Sequence, residues 1–166
     1  MKLKEIVKMI PVAGALVMAG ALVAVACGGS AGSSTKNIPP VTLNYKVVAP
    51  EEGLVGSDGN KHDTFYFLNP QTIYVGQEVT ISIANYDDMP HSWTSPDLGI
   101  NIMLPPAKSE DTPSITTYTF TPTKAGTFRW FCAIPCDSDT DGWAMKMSAK
   151  GPGQDNFLAG YVTVSE

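Results

Sequence analysis

The sequence predicts an all-β domain, a sandwich of about seven to eight strands with Greek-key connections, behind an N-terminal export segment and a flexible linker. Three observations predict it. Apolar residues take alternate places in almost every hydrophobic segment after residue 40. Turn signals containing Gly or Asp interrupt those segments at short intervals. No helical pattern extends beyond two turns.

The first element is the export segment. Lys2, Lys4 and Lys8 stand against a single Glu5, and an apolar run from Met9 to Ala26 follows. A charged start, an apolar stretch and small residues before a boundary make an export signal. Ala24-Val25-Ala26-Cys27 resembles a bacterial lipoprotein cleavage site, in which Cys27 becomes the lipidated first residue of the mature chain. The alternative is an uncleaved membrane anchor, since the apolar run is just long enough to span a bilayer. Both readings place the rest of the chain outside the cytoplasm of a bacterium, held to the membrane. Residues 28–40, GGSAGSSTKNIPP, are small, polar and without apolar period, and read as a linker stiffened at Pro39-Pro40. Residues 41–166 are then one domain.

Val41, Leu43, Tyr45 and Val47 alternate in the first predicted strand. Val79, Ile81 and Ile83 do so in a second, Tyr118 and Phe120 in a third, and Phe128 and Trp130 in the strand that leads to Cys132. Gly53, Asp58-Gly59, Val75-Gly76, Asp87-Asp88 and Lys124-Ala125-Gly126 supply the turns. Cleavage at Cys27 removes three Lys and one Glu, leaving 8 basic against 15 acidic residues and a net charge of −7. That balance argues against nucleic acid as a partner and suits encounter with a basic redox protein.

The chemistry concentrates late in the chain. Cys132 and Cys136 lie in FRWFCAIPCDSDTDGWAMKM, with Met145 and Met147 after them and His91 some forty residues upstream. Imidazole, two thiols and a thioether form a soft ligand set, which selects copper over magnesium, calcium or manganese. His91 follows a strand and a turn, with Met89-Pro90 restricting its approach. The three residues between the cysteines let both sulfurs face one centre and let Ile134 present its backbone carbonyl there. The competing reading of the pair is a disulfide, reasonable in an oxidising compartment, although so short a loop strains the bond.

Two segments carry a family resemblance. FLNPQTIYVGQEVTISIANYDDMPHSW resembles the first half of a cupredoxin, where a strand ends in a copper-binding His. TYTFTPTKAGTFRWFC resembles the second half, where a Gly-turned strand delivers the copper Cys. HSWTSPDLGINIMLPP and the C-x-x-x-C spacing are similar to the CuA domain of cytochrome oxidase subunit II. The resemblance covers roughly residues 60 to 164. It implies a copper site at the end of the sandwich and a redox partner such as a cytochrome or terminal oxidase.

The chain departs from that domain where a second His and a Met are expected, since Thr140 and Trp143 stand there. Its two histidines are His62 and His91, so counting makes His62 a candidate further ligand, against a reading as a solvated residue in a polar turn. A C-D-x-W-A-M segment shared with related cupredoxin-like sequences maps onto Asp137, Trp143, Ala144 and Met145, which favours Met145 over Met147 as the thioether. Lys146 between them argues that only one faces inward on an extended segment. Trp143 is expected to shield the site from water. Two thiolates favour a dinuclear CuA-like centre, whereas the shortage of His favours a single copper, and the reading leans to one copper.

Residues 137–142 imitate the start of a calcium loop, but Ser148 stands where the bidentate Glu belongs. One of these carboxylates could instead replace the missing His. Neither Ser92 nor Ser95 sits in a catalytic triad pattern, and no phosphate-cradling loop is present. The expectation is an electron carrier rather than an enzyme. The alternatives are a copper carrier or assembly factor that delivers Cu(I) to an oxidase, and a metal-free binding domain stapled by a disulfide.

Overall fold

β-branched and aromatic residues at every second place give strands that hide one face each. In the computed structural model the described residues are 37–69, 72–109, 111–137, 142–146 and 155–166. The export segment with Cys27, most of the linker, Thr140 and Met147 lie outside them. No helix among the described residues is long and apolar enough to cross a membrane.

The strands run in chain order as β1 (Val41–Val48), β2 (Leu54–Val55), β3 (Lys61–His62), β4 (Thr64–Phe67), β5 (Ile73–Tyr74), β6 (Val79–Asn85), β7 (His91–Ser95), β8 (Ile100–Leu104), β9 (Ser114–Phe120), β10 (Gly126–Phe131) and β11 (Ala159–Ser165). One short helix, α1 (Trp143–Lys146), precedes β11. Three of these strands, β2, β3 and β5, are two residues long, and the remaining eight match the expected number. They form a sheet ordered β4-β1-β6-β9, a sheet ordered β5-β11-β10-β7-β8, and a separate β2-β3 pair. The chain passes repeatedly from one main sheet to the other, the crossover order of a Greek-key sandwich. β1 and β6 are parallel neighbours, with Leu43 opposite Ile81 and Tyr45 opposite Ile83.

The core follows the alternation. Leu43, Tyr45 and Val47 of β1, and Val79, Ile81 and Ile83 of β6, are buried together with Phe128 and Trp130 of β10. Trp93 of β7 stacks on Trp130 with ring centroids 5.7 Å apart, and Phe65 of β4 packs on Trp130 at 5.0 Å. Each such aromatic pair contributes about 0.5–1.5 kcal/mol beyond its area burial. Gly160 is required where Trp130 crosses β11, because a Cβ there would lie 2.6 Å from the indole. β9 departs from the expectation. It is an edge strand paired only to β6, and Tyr118 remains 37% exposed instead of packing inward.

Sheet order decides where the soft ligands go. β7 and β10 are antiparallel neighbours, with Phe131 opposite Thr94. The start of β7 therefore lies beside the end of β10, which brings His91 and Cys132 to one end of the sandwich. The start of β11 reaches the same end, since Ala159 pairs with Phe131.

Candidate metal centre

Asn85, the last residue of β6, organises the loop before His91. Its buried side chain donates to the carbonyls of Met89 and Pro105 at 3.0 and 2.9 Å and accepts from the Asp87 amide at 3.0 Å. Asp87 in turn accepts from the Met89 amide through Oδ1 and takes His91 Nε2 on Oδ2 at 2.7 Å. This fixes the imidazole at the first position of β7. Its other nitrogen, Nδ1, is buried and has no hydrogen-bond partner among the described residues.

On the neighbouring strand Cys132 is anchored by its amide to the Leu158 carbonyl at 2.7 Å. The next amide, that of Ala133, donates to Ser92 Oγ at 2.7 Å, and the Ser92 amide points at Cys132 Sγ at 3.4 Å. The loop Ala133-Ile134-Pro135 then returns Cys136 so that the two sulfurs stand 2.7 Å apart, both as free thiols. The Ile134 carbonyl lies 3.6 Å from Cys132 Sγ and 3.2 Å from Cys136 Sγ, and the Pro90 carbonyl lies 3.6 Å from Cys136 Sγ. His91, Cys132 and Cys136 are all buried, and each offers a ligand atom within 4.8 Å of the others.

Charge is stored in this group. The hydrogen bond from Cys136 lowers the Cys132 pKa to about 4, against burial and with help from His91 and the Ser92 amide. The Cys136 thiol moves the other way, because it shares its proton with Cys132 and is buried beside it. Burial opposes the charged form of His91, but Asp87, the Cys132 sulfur and the charge of Asp63 together raise its pKa to about 9. Burial also opposes the Asp87 carboxylate, yet the bonds from His91 and the Met89 amide hold its pKa below the usual value. Behind them burial raises Asp63 to about 7, against the pull of His91 and with the help of Asp87. Without metal the environment favours negative charge on Cys132 and protons on His91 and Cys136.

The donor set fits copper. Two sulfurs and an imidazole nitrogen with no hydrogen-bond partner among the described residues are soft or borderline ligands, and the carboxylate on the far side of the imidazole is the kind of orienting partner that metal-bound histidines have.

His62 stands apart from this group. His62 on β3 is fully buried rather than solvated, and both of its ring nitrogens are engaged by carboxylates. Nε2 faces Asp58 at 3.0 and 3.1 Å and Nδ1 faces Asp137 at 3.2 Å. It is absent from the group formed by His91 and the cysteines. Trp143 covers His62, its ring stacked at 4.4 Å and 15°. Met145 lies on α1, partly buried against the core, with its sulfur against Gly142. Asp137, considered as a stand-in for the missing His, binds His62 and the Ala144 amide.

Three side chains around the centre were not legible as its neighbours in the sequence. Asp87 reads there as a turn residue and Asp63 as a polar neighbour of His62, while Ser92 stands out only as a nucleophile without partners. The spacing of Asp87 four residues before His91 was the available signal. An open cavity of about 900 Å³ adjoins these groups, lined among others by Asp63, Asp87, Met89, Lys108 and Asp137.

No family model and no curated protein matches the sequence. Several solved structures resemble it at low identity. The chain is similar to the periplasmic domain of cytochrome oxidase subunit II from Bradyrhizobium japonicum, with 14% identity, a TM-score of 0.43, and 75% of this chain and 84% of that one covered. Reduced rusticyanin matches with 18% identity and a TM-score of 0.49, over 75% of this chain and 78% of its own. The copper-containing nitrite reductase of Thermus scotoductus matches at 16% identity and a TM-score of 0.46, over 77% of this chain and 28% of the enzyme.

Proposed function

We propose that this chain is a copper-binding electron-transfer protein of cupredoxin type, tethered through Cys27 at the outer face of a bacterial membrane. The observation that carries the reading is His91. Its Nε2 is fixed on Asp87, its buried Nδ1 has no hydrogen-bond partner among the described residues, and the residue forms a group with two free cysteine sulfurs. Copper supplies a one-electron couple there, with thiolates stabilising Cu(I) and imidazole keeping Cu(II) accessible. His91, Cys132 and Cys136 would hold it, with Met145 as the preferred thioether, Met147 as its alternative, and the Ile134 carbonyl as a weak additional donor.

The protein groups do the rest. Strand pairing holds His91 and Cys132 in fixed positions, so the change of oxidation state needs little rearrangement. The Ser92 amide aimed at Cys132 Sγ stabilises negative charge on sulfur, and hydrogen bonds of this kind set the potential. Burial keeps water and oxidants away from the pair. One available imidazole favours a single copper over a dinuclear centre. The single electron goes to or comes from a redox protein such as a cytochrome or terminal oxidase.

Purified protein titrated with copper is expected to develop intense thiolate-to-copper absorption that bleaches on reduction, and to lose it in Cys132→Ser. Electron paramagnetic resonance then distinguishes one copper from two sharing an electron. A protein that stays colourless and takes up no copper overturns the reading. The open cavity lined by Asp63, Asp87 and Asp137 favours a second one, a copper carrier. Such a protein would surrender Cu(I) rapidly to a competing chelator, whereas the electron carrier keeps its metal through repeated redox cycles.

A further inference from the structure

His62 is the other buried imidazole, and its surroundings are unlike those of a ligand. A ring with a carboxylate on each nitrogen has both nitrogens occupied, which favours its charged form and leaves neither open to a metal. Burial opposes that charge, but Asp58 and Asp137 outweigh it and raise its pKa. The ring is packed from two further sides, stacked on Trp143 and met edge-on by Phe157 at 5.6 Å and 84°.

What this imidazolium holds is the chain immediately after Cys136. Asp137 has φ 61, the left-handed region, although it is not glycine. Such a residue is strained and persists where its surroundings fix it. Here they do. Asp137 Oδ1 takes His62 Nδ1 at 3.2 Å, Oδ2 accepts from the Ala144 amide at 2.7 Å, and its carbonyl accepts from the Gly142 amide at 2.9 Å. One carboxylate therefore connects β3, the residue that follows Cys136, and the first turn of α1, where Met145 sits. The Ala144 carbonyl then receives the Leu158 amide at 3.2 Å, which ties α1 to the segment anchoring Cys132.

We propose that His62 is a positioning residue of the metal centre: clamped between Asp58 and Asp137, it fixes the backbone that carries Cys136 on one side and α1 on the other. The proposal rests on the reading of Cys132 and Cys136 as the metal-binding pair. His62 acts through Asp137 and touches neither sulfur. Removing its second N–H frees Asp137 to leave the left-handed conformation, and Cys136 loses its fixed distance from Cys132.

The test uses the full chain, reduced and metal-free, with His62→Gln, Asp137→Asn and Asp58→Asn as variants. The readout is the rate at which a small alkylating reagent modifies the two thiols, well below the unfolding midpoint of each variant. His62→Gln and Asp137→Asn are expected to react about tenfold faster than the parent, as local opening of the loop becomes more frequent. Asp58→Asn, which keeps an acceptor for Nε2, is expected to change the rate by less than about twofold. Copper-loaded His62→Gln is expected to keep the parent's copper stoichiometry with a shifted thiolate-to-copper band. Unchanged alkylation in folded His62→Gln, even with a lowered unfolding midpoint, would overturn the proposal, because His62 would then be only a core residue. Loss of copper stoichiometry with unchanged alkylation would overturn it too, by making His62 a ligand. Should His62→Gln fail to fold, Asp137→Asn decides by the same rates. Failure of the parent protein to bind copper would sink the copper reading and leave the alkylation result standing.

Discussion

Two buried histidines of this protein begin from the same local arrangement and end in different chemistry. In both, an Asp four residues earlier faces the ring's Nε2: Asp58 for His62, Asp87 for His91. Both side chains are fully buried. They differ at Nδ1. That of His62 meets a third group, Asp137, from 75 residues further along the chain. That of His91 meets no hydrogen-bond partner among the described residues, and His91 forms a group with the two sulfurs. The first ring is saturated and acts as a clamp. The second has one nitrogen without such a bond, which under the proposed function takes the metal while Asp87 orients the ring. Whether an imidazole is a ligand is thus decided at the nitrogen that the local sequence does not satisfy.

The largest expected effect that sharpens this contrast is on pH dependence. His91 has its pKa raised to about 9 and the Cys136 thiol is also raised, so both are protonated at neutral pH, whereas Cys132 is already a thiolate. Copper must displace about two protons, and affinity rises with pH by roughly two logarithmic units per unit until His91 titrates. Protons released on loading, measured in weakly buffered solution, check this. The His62→Gln variant should release the same number, because His62 gives up no proton to the metal. A smaller release in that variant would break the contrast.

A second expectation concerns the two aspartates. Asp87→Ala removes the partner that orients His91 and is expected to weaken copper binding about 10- to 100-fold, as loss of such an outer partner does. Competition with a chelator of known affinity measures it. Equal weakening by Asp58→Ala would mean that the two histidines play equivalent parts. The smallest effect is expected for Asp58→Asn on stability. Asp58 is partly exposed, with 24% of its side chain accessible, so solvent screens the pair and only a slight fall in the urea midpoint is expected.

The legible parts of the molecule are those written in neighbouring residues. The alternation of Leu43, Tyr45 and Val47, or of Val79, Ile81 and Ile83, can be read directly because a strand's two faces follow from a period of two. Tyr118 and Phe120 show the same alternation, yet β9 is an edge strand with Tyr118 exposed. Periodicity states that a strand has two faces and not how completely its position in the sheet covers them. His62 beside Lys61 and Asp63 looks solvated for the same reason. Its burial comes from Trp143 and Phe157, which no local pattern connects to it.

By itself the sequence determined the strands, the turns and the stock of possible soft ligands, since composition and short-range period are local properties of the chain. Tertiary structure alone decided which ligands meet. The antiparallel pairing of β7 with β10 puts His91 and Cys132 at one end of the sandwich, and the return of the chain at Asp137 fills the free nitrogen of His62. A hydrogen bond or a metal site is a condition on distance and direction, and distances between residues far apart in sequence exist only once the sheets have closed around them.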